Sequence, residues 1–426
     1  MATDNPDKAV LHYPGGEYEM DVVHATEGND GVALGKMLAE TGLTTLDPGY
    51  VNTGSTESDI TYIDGGNGIL RYRGYDIADL ANNATFDEVS YLLINGELPN
   101  AEQAEEFNTN IRKHTLLDED FKSQFRVFPR DAHPMSVLAS SVNILSTYYQ
   151  DTLDPHNEEF QKLNTYRLMA KVPMLAAYAY RASKGKSYLY PQNSLNPREN
   201  FLRQMFGYPT EEYEADPVMT KALDKLLILH ADHEQNCSTS TVRMVGSSNA
   251  NIFASIAAGI NALSGPLHGG ANQAVLEMLE DIHNNGNDAT DFMERVKNKE
   301  PGVKLMGFGH RVYKNYDPRA AIVKESAHEI LDHLGGDHLL DLAMGLEEIA
   351  LADDYFIERK LNPNVDFYTG LIYRAMGFPT DFFTVLFAMG RLPGWIAHYL
   401  EQVNDPAAKI NRPRQIYTGS TERKIK

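Results

Sequence analysis

The chain has 426 residues, 42% of them hydrophobic and 23% charged, which is an ordinary composition for a globular protein with a sizeable core. Lysine and arginine total 38 against 59 aspartate and glutamate, giving a formal net charge of -21. Such an acidic surface repels phosphate backbones and anionic lipid headgroups, so nucleic acids and membranes are not expected partners. It also repels small anionic substrates, so arginines that bind one must be few and local.

The single cysteine, Cys237, excludes an internal disulfide and a cysteine-rich metal site. The polar, acidic segment of residues 1–7 differs from a secretory signal and from an arginine-rich transit peptide. No apolar run reaches the roughly 18 residues that a membrane span requires. We therefore expect a cytoplasmic protein.

The first predicted elements along the chain are β-strands. Residues 10–13 and 18–23 flank a turn with proline and glycine, which predicts a strand, a turn and a strand. Residues 60–64 and 69–73 are separated by a glycine-rich loop, which predicts a β-hairpin.

After about residue 75 the pattern becomes helical. Apolar residues between Ala271 and Ile282 recur at intervals of three and four, as in an amphipathic helix, and the same pattern covers residues 223–227 and 339–350. Strands and helices do not alternate regularly, so a parallel α/β sheet is not expected. The sequence predicts a mainly α protein with a small β-rich N-terminal segment.

The first polar stretch whose side chains could take part in catalysis or metal binding, residues 229–236, contains two histidines. His230 and His233 are three apart and so lie near one helix face, and Asp232 could join them in a metal-dependent hydrolase. The spacing is not the His-Glu-x-x-His of metalloproteases, and a pair of partly buried, hydrogen-bonded histidines explains this segment better.

The second stretch, residues 265–270, places His268 in a glycine-rich approach to the helix at Ala271. The positive end of a helix dipole disfavours imidazolium, so we expect His268 to stay neutral and able to donate a hydrogen bond to an enolate. A loop that only caps the helix explains the fragment equally well.

The third stretch, residues 306–319, surrounds His310 with glycines and is followed by cationic side chains. Its spacing differs from Gly-x-Gly-x-x-Gly, so a dinucleotide site is rejected. Backbone amides and positive charge in such a stretch can bind an anion, although a surface loop with ordinary charges remains an alternative.

Two shorter pieces complete the set. Asp366 lies just ahead of a predicted helix, where it could act as a base or only as an N-cap. Arg391, Arg412 and Arg414 are suited to binding carboxylates through two hydrogen bonds, although a single such arginine is more often a surface residue.

Six segments in one order resemble citrate synthase over nearly the whole chain. They are HADHEQN (230–236), GPLHGGAN (265–272), GFGHRVYKNYDPR (307–319), NVDFYTG (364–370), FAMGRLPGWIAH (387–398) and RPRQIYTG (412–419). The β-rich start is similar to that of the larger, commonly hexameric bacterial type. A match of six ordered segments is far more specific than any single motif.

The resemblance implies a role for each matching residue. Asp366 would remove a proton from the methyl group of acetyl-CoA, His268 would stabilise the enolate, and His310 would polarise the ketone of oxaloacetate. Lys314 would contact CoA. The oxaloacetate carboxylates would be bound by His233, Arg319, Arg391 and, from a neighbouring subunit of a homodimer or hexamer, Arg412.

The resemblance also implies a domain organisation and a cofactor requirement. Beside a β-rich segment of residues 1–55, a large helical domain would span residues 56–267 and be completed by 380–426, and a small domain would span 268–379. The two domains would close over the substrates and exclude water. No metal and no other cofactor would be required, since acetyl-CoA is a substrate.

Three alternatives stay open. A 2-methylcitrate synthase acting on propionyl-CoA would share the catalytic residues, and one methylene is worth only about 1–3 kcal/mol of discrimination. A metal-dependent hydrolase would leave His268, His310 and Asp366 without a role. A non-catalytic helical scaffold would release no thiol from any acyl-CoA.

Overall fold

A computed structural model describes residues 7–310, 312–336 and 338–425. The chain divides into two compact units, one made of residues 1–58 and 411–426 and the other of residues 59–410. Among the described residues, no helix combines the length and the apolar character needed to cross a membrane.

The smaller unit contains a three-stranded antiparallel sheet formed by β1 (Lys8–Tyr13), β2 (Gly16–Val23) and β3 (Gly31–Val32). Lys8 pairs with Asp21 and Tyr13 with Gly16, so a tight turn at residues 14–15 joins the first two strands. The short helix α1 (Met37–Thr41) follows the sheet. The predicted strand, turn and strand near the N-terminus are confirmed.

The larger unit begins with a second antiparallel sheet, formed by β4 (Thr61–Asp64), β5 (Ile69–Tyr72) and β6 (Tyr75–Asp76). The predicted hairpin is therefore confirmed, with Thr61 opposite Tyr72 and Asp64 opposite Ile69. Leu70 and Tyr72 of β5 are fully buried, so the hairpin is anchored in the helical core.

Helices make up most of the larger unit, which confirms the mainly α prediction. They are α2 (Ile77–Asn83), α3 (Phe86–Asn95), α4 (Ala101–Lys113), α5 (Pro134–Leu145), α6 (Glu158–Ser183), α7 (Pro197–Phe206), α8 (Pro217–His230), α9 (Cys237–Gly246), α10 (Ile252–Leu263), α11 (Ala271–Asn284), α12 (Ala289–Lys297), α13 (Ala320–Leu334), α14 (His338–Ala352), α15 (Asp354–Glu358), α16 (Val365–Ala375) and α17 (Phe383–Asn404). The amphipathic patterns predicted at residues 223–227, 271–282 and 339–350 lie in α8, α11 and α14.

The core is organised around α17, which is buried on nearly all sides. It packs against α3, α8, α9 and α10, as expected for a helix that is apolar all round. Gly394 allows a close approach, because a Cβ there would lie 2.2 Å from the carbonyl oxygen of Ala231. This approach sets α17 directly against the chain that follows α8.

The predicted division at residues 267–268 and 379–380 into a large and a small domain stays a prediction. Residues 59–410 form one compact unit in the structure, and the last residues of the chain, from Asn411 onward, group with the N-terminal segment.

Candidate active site

His233 lies in the short connection between α8 and α9. The connection ends at Asn236, the N-cap of α9, whose side-chain oxygen accepts the N–H groups of Ser238 and Thr239. His233 is 9% exposed, and its Nε2 atom lies 3.3 Å from the hydroxyl of Tyr313. Burial, reinforced by the positive charge of Arg319, holds the pKa of His233 well below its usual value, so the ring is neutral.

His268 precedes α11 and contacts the first turn of α9. Its Nε2 atom lies 3.2 Å from the backbone nitrogen of Ser238 and 2.9 Å from the Ser238 hydroxyl. Trp395 fixes that hydroxyl by donating its indole N–H over 3.2 Å. Since a backbone N–H can only donate, Nε2 accepts, and the proton of a neutral His268 ring lies on Nδ1.

His310 has the opposite tautomer. Its Nδ1 atom accepts the N–H groups of Val312 (3.1 Å) and Tyr313 (3.3 Å), so the ring proton lies on Nε2. Burial and the nearby Arg319 charge lower the pKa of His310 to about 4. The ring centroids of His310 and His233 are 5.3 Å apart. Two neutral imidazoles therefore lie side by side.

Asp366 is the second residue of α16, and Asn364, rather than Asp366, caps this helix. The amide oxygen of Asn364 accepts the N–H of Asp366 over 3.0 Å, so the alternative reading of Asp366 as the N-cap is wrong. A helix N-terminus favours a carboxylate, but loss of hydration outweighs this effect and raises the pKa of Asp366 to about 6. The side chain still keeps some solvent-accessible surface.

Arg319 is 3% exposed and forms a two-bond ion pair with Asp317, in which both N···O distances are 2.9 Å. Although burial alone would raise it, the Arg319 guanidinium lowers the pKa of Asp317 below its usual value. Asp317 also accepts the backbone N–H of Val365 over 3.1 Å. One carboxylate thus joins Arg319 to the start of the helix that carries Asp366.

Arg391 lies on α17 and is 2% exposed. Its Nε atom donates to the carbonyl oxygen of His230 over 2.7 Å, but Nη1 has no hydrogen-bond partner among the described residues. Burial lowers the pKa of Arg391. A buried guanidinium with an unused donor is suited to an incoming anion.

Electrostatic interactions connect these residues into one site. The charges of Arg319 and Arg391 act on both His233 and Asp366, and His233 also interacts with His268 and with the neighbouring His310. The structure therefore brings together six of the predicted site residues: His233, His268, His310, Arg319, Asp366 and Arg391.

The other two predicted residues have different surroundings. Lys314 has an exposed side chain and follows His310 in the same segment, where its backbone N–H donates to Gly65. Arg412 has an exposed side chain and belongs to the smaller unit. Neither position tests the proposed contact with CoA or with oxaloacetate.

The residues of the metal alternative have other partners. His230 bonds through Nδ1 to the carbonyl oxygen of Leu226 (2.7 Å), and Asp232 lies 3.2 Å from Nε2 of His398. Within residues 7–310, 312–336 and 338–425, no group of three or more histidine, cysteine, aspartate or glutamate side chains is arranged to hold a metal ion. This part of the chain therefore gives the metal-dependent hydrolase no ligand set.

Three contributors to the site were not identified from the sequence. Ser238 fixes the tautomer of His268, Asp317 pairs with Arg319, and Tyr313 contacts His233. The available signals were weak: Ser238 follows a helix N-cap, and Asp317 precedes a proline and an arginine. These patterns alone do not report which distant side chain is contacted.

The arrangement provides the groups needed for an enolisation followed by addition to a carbonyl. A carboxylate with a pKa near 6 can accept a proton at neutral pH. Nδ1 of His268 and Nε2 of His310 offer N–H donors to two developing oxyanions, and the buried arginines offer charge to carboxylates.

The family model described as "Citrate synthase, C-terminal domain" matches residues 49–414. The chain is 79% identical to the citrate synthase of Corynebacterium glutamicum over 426 residues, covering 100% of this chain and 97% of that protein. It is 65% identical to citrate synthase 1 of Mycobacterium tuberculosis over 421 residues, covering 99% of this chain and 98% of that protein.

Solved structures show the same similarity in three dimensions. The crystal structure of citrate synthase from Pyrobaculum aerophilum gives a TM-score of 0.79 at 35% identity, covering 100% of this chain and 98% of that chain. Citrate synthase from Thermoplasma acidophilum, solved as a ternary complex with carboxymethyl coenzyme A and oxaloacetate, gives a TM-score of 0.80 at 29% identity. That match covers 89% of this chain and 98% of the other.

Proposed function

The chain belongs to the citrate synthase family, whose reaction joins acetyl-CoA to oxaloacetate, and we propose that His268, His310 and Asp366 carry out this reaction. The observation that carries the proposal is the pairing of one carboxylate of raised pKa with two histidines of opposite tautomers. At neutral pH a carboxylate with a pKa of about 6 is largely ionised, and the nitrogens of His268 and His310 that do not accept a backbone N–H are the ones that can donate to substrate.

Asp366 starts the reaction by removing a proton from the methyl group of acetyl-CoA. A thioester methyl is a very weak acid, so the carboxylate cannot act without a donor for the developing enolate. The Nδ1–H of His268 serves as that donor and bonds to the thioester oxygen. General base action contributes about 10²–10⁴-fold, and the positioned donor and the exclusion of water supply much of the rest.

His310 activates the second substrate. Its Nε2–H donates to the ketone oxygen of oxaloacetate, whose carbonyl carbon is then attacked by the enolate carbon of acetyl-CoA. His233, Arg319 and Arg391 bind the oxaloacetate carboxylates, and the unused Nη1 donor of Arg391 supports this assignment. Water then hydrolyses citryl-CoA to citrate and CoA.

The remaining features are also proposals. We propose a homodimer or hexamer in which Arg412 reaches the substrate of a neighbouring subunit, a contact of Lys314 with CoA, no requirement for a metal or another cofactor, and a cytoplasmic location. The ligands in the Thermoplasma acidophilum complex, carboxymethyl coenzyme A and oxaloacetate, support the pair of substrates. None of the comparisons favours a 2-methylcitrate synthase.

Release of free thiol tests the proposal. The purified protein is mixed with oxaloacetate and either acetyl-CoA or propionyl-CoA, each with and without EDTA. We expect oxaloacetate-dependent release from acetyl-CoA that EDTA does not change. A preference for propionyl-CoA would indicate the 2-methylcitrate reaction, loss of activity with EDTA would indicate a metal, and no thiol from either substrate would contradict the proposed chemistry.

A further inference from the structure

The β4–β5 hairpin is attached at its base to the segment that carries His233. The Tyr72 hydroxyl lies 3.2 Å from both the carbonyl oxygen of Ile228 and the backbone nitrogen of Asp232. On the other strand, the backbone N–H of Ile63 donates to the Glu234 carboxylate over 3.0 Å. Polar contacts from both strands therefore hold the residues on either side of His233.

The tip of the same hairpin contacts the segment that carries His310. The carbonyl oxygens of Gly65 and Gly66 accept hydrogen bonds from the Lys314 backbone and from the Asn315 side chain, both at 2.8 Å. The approach is very close at Gly65, where a Cβ would lie only 2.1 Å from the carbonyl oxygen of Val312. Only glycine fits there without a shift of one backbone.

The loop between the strands has a defined shape. The Asp64 carboxylate accepts the backbone N–H groups of Gly66 (2.9 Å) and Asn67 (3.0 Å), and it also accepts the Asn67 side-chain amide (2.7 Å). These side-chain hydrogen bonds hold the loop in one conformation, so the strands and the tip keep a fixed arrangement. The hairpin is thus a continuous support from Tyr72 to Gly65.

The contacts at the tip lie next to the groups that orient His310. Val312, which meets Gly65, and Tyr313 donate their backbone N–H groups to Nδ1 of His310. Tyr313 also reaches His233, with its hydroxyl 3.3 Å from Nε2. A displacement of Val312 would therefore change both the orientation of His310 and its separation from His233.

We infer that the β4–β5 hairpin is a brace that fixes His310 relative to His233, and that Gly65 is a positioning residue for oxaloacetate binding. The inference rests on the proposed role of these two histidines as oxaloacetate ligands. The brace spans the predicted boundary between the large and the small domain, since residues 61–72 and 310–317 lie on opposite sides of it.

Two alanine variants in the same loop test the brace. Gly65→Ala places a Cβ 2.1 Å from the backbone carbonyl oxygen of Val312. The nearest atom to a Cβ in Gly66→Ala is a side-chain oxygen of Asp64 at 3.2 Å, so this variant is the milder control. Neither glycine has a positive φ, so the backbone conformation itself opposes alanine at neither position, and the two variants differ in what the added Cβ contacts. The kcat and the KM for each substrate are measured by thiol release, and circular dichroism checks the fold.

We expect Gly65→Ala to raise the KM for oxaloacetate by about tenfold or more and to lower kcat, with a smaller rise in the KM for acetyl-CoA through the attached Lys314. Gly66→Ala should stay within about twofold of the parent in all three constants. Parent constants in a folded Gly65→Ala protein, or equal defects in both variants, would overturn the inference.

Asn315→Ala provides a second test, which decides the matter if Gly65→Ala does not fold. It removes one hydrogen bond to the tip and should raise the KM for oxaloacetate by about threefold, the typical worth of one such bond. An unchanged KM overturns the brace. His310→Gln separates the two proposals: parent kinetics there would refute the role of His310 itself, whereas an impaired His310→Gln beside an unimpaired Gly65→Ala and Asn315→Ala would refute the brace alone.

Discussion

Lowering the pH below about 6 should protonate Asp366, the proposed base of the reaction. A rise in the Asp366 pKa from 3.8 to about 6 disfavours the ionised form by about 3 kcal/mol. At pH 5 only about one tenth of such a group is ionised, and its activity as a base falls about tenfold for each further pH unit. We therefore expect kcat/KM for acetyl-CoA, at saturating oxaloacetate, to fall on the acid side of pH 6.

The Asp317→Asn variant should change the Asp366 pKa in a defined direction. The negative charge of Asp317 raises the pKa of Asp366, whereas the positive charge of Arg319 lowers it. Replacing Asp317 with asparagine removes the first effect and leaves the Arg319 charge uncompensated. Both changes favour ionised Asp366, so the acid limb of the pH profile should move to lower pH.

The assay is thiol release in buffers from pH 4.5 to 8, with the parent and the variant measured at constant ionic strength. The histidines on the oxaloacetate side do not interfere, because the pKa of His310 is about 4 and that of His233 is well below its usual value. A limb that stays in place or moves to higher pH in Asp317→Asn would refute the electrostatic reasoning. A parent profile flat down to pH 4.5 would refute Asp366 as the titrating base.

Three further substitutions give separate expectations. Asp366→Asn should lower kcat by about 10²-fold or more and yet raise the Tm at pH 7. A carboxyl whose pKa is raised on folding destabilises the folded form as the pH rises from 3.8 to about 6, and asparagine removes this effect. Thermal unfolding at pH 7 and at pH 4 should therefore show the gain in Tm only at the higher pH. Ser238→Ala removes the hydroxyl beside Nε2 of His268 but keeps the backbone N–H, so kcat should fall about tenfold with little change in the KM for oxaloacetate; an unchanged kcat would contradict the role of the hydroxyl. Arg391→Gln should weaken oxaloacetate binding by about 10²-fold, as measured by calorimetric titration without acetyl-CoA, and unchanged affinity would contradict the carboxylate assignment.

Local sequence patterns predicted the elements in which local and tertiary preferences agree. The hairpin at residues 60–73 and the amphipathic α11 are of this kind. Helix α17 is different, because Gly390, Pro393 and Gly394 disfavour a helix locally. Its glycines permit contact with α8 and the connection that follows it: a Cβ at Gly390 would lie 3.0 Å from Cβ of His230. Packing therefore overrides propensity where α17 approaches the site.

Six of the residues that the sequence predicted for the site lie together in the structure, but their interactions were not predicted. His268 and its partner Ser238 are separated by thirty positions, and Arg391 bonds to the carbonyl of His230, more than a hundred positions away. No periodicity relates residues so far apart. The tautomers of His268 and His310 follow only from these contacts, and so did not follow from the motifs.

The acidic chain carries the positive charge proposed to bind its anionic substrate on two buried arginines, Arg319 and Arg391. Of the two arginines assigned to the oxaloacetate carboxylates, Arg319 is already paired with Asp317, whereas Arg391 keeps an unused Nη1 donor. A buried guanidinium with an unsatisfied donor destabilises the free protein, and a bound carboxylate relieves that cost. The same carboxylates would raise the Asp366 pKa further if their charge were not compensated. In the proposed mechanism, Arg391 therefore serves two purposes: it would bind an oxaloacetate carboxylate, and its charge, which lowers the pKa of Asp366, would help to keep the base ionised once oxaloacetate is bound.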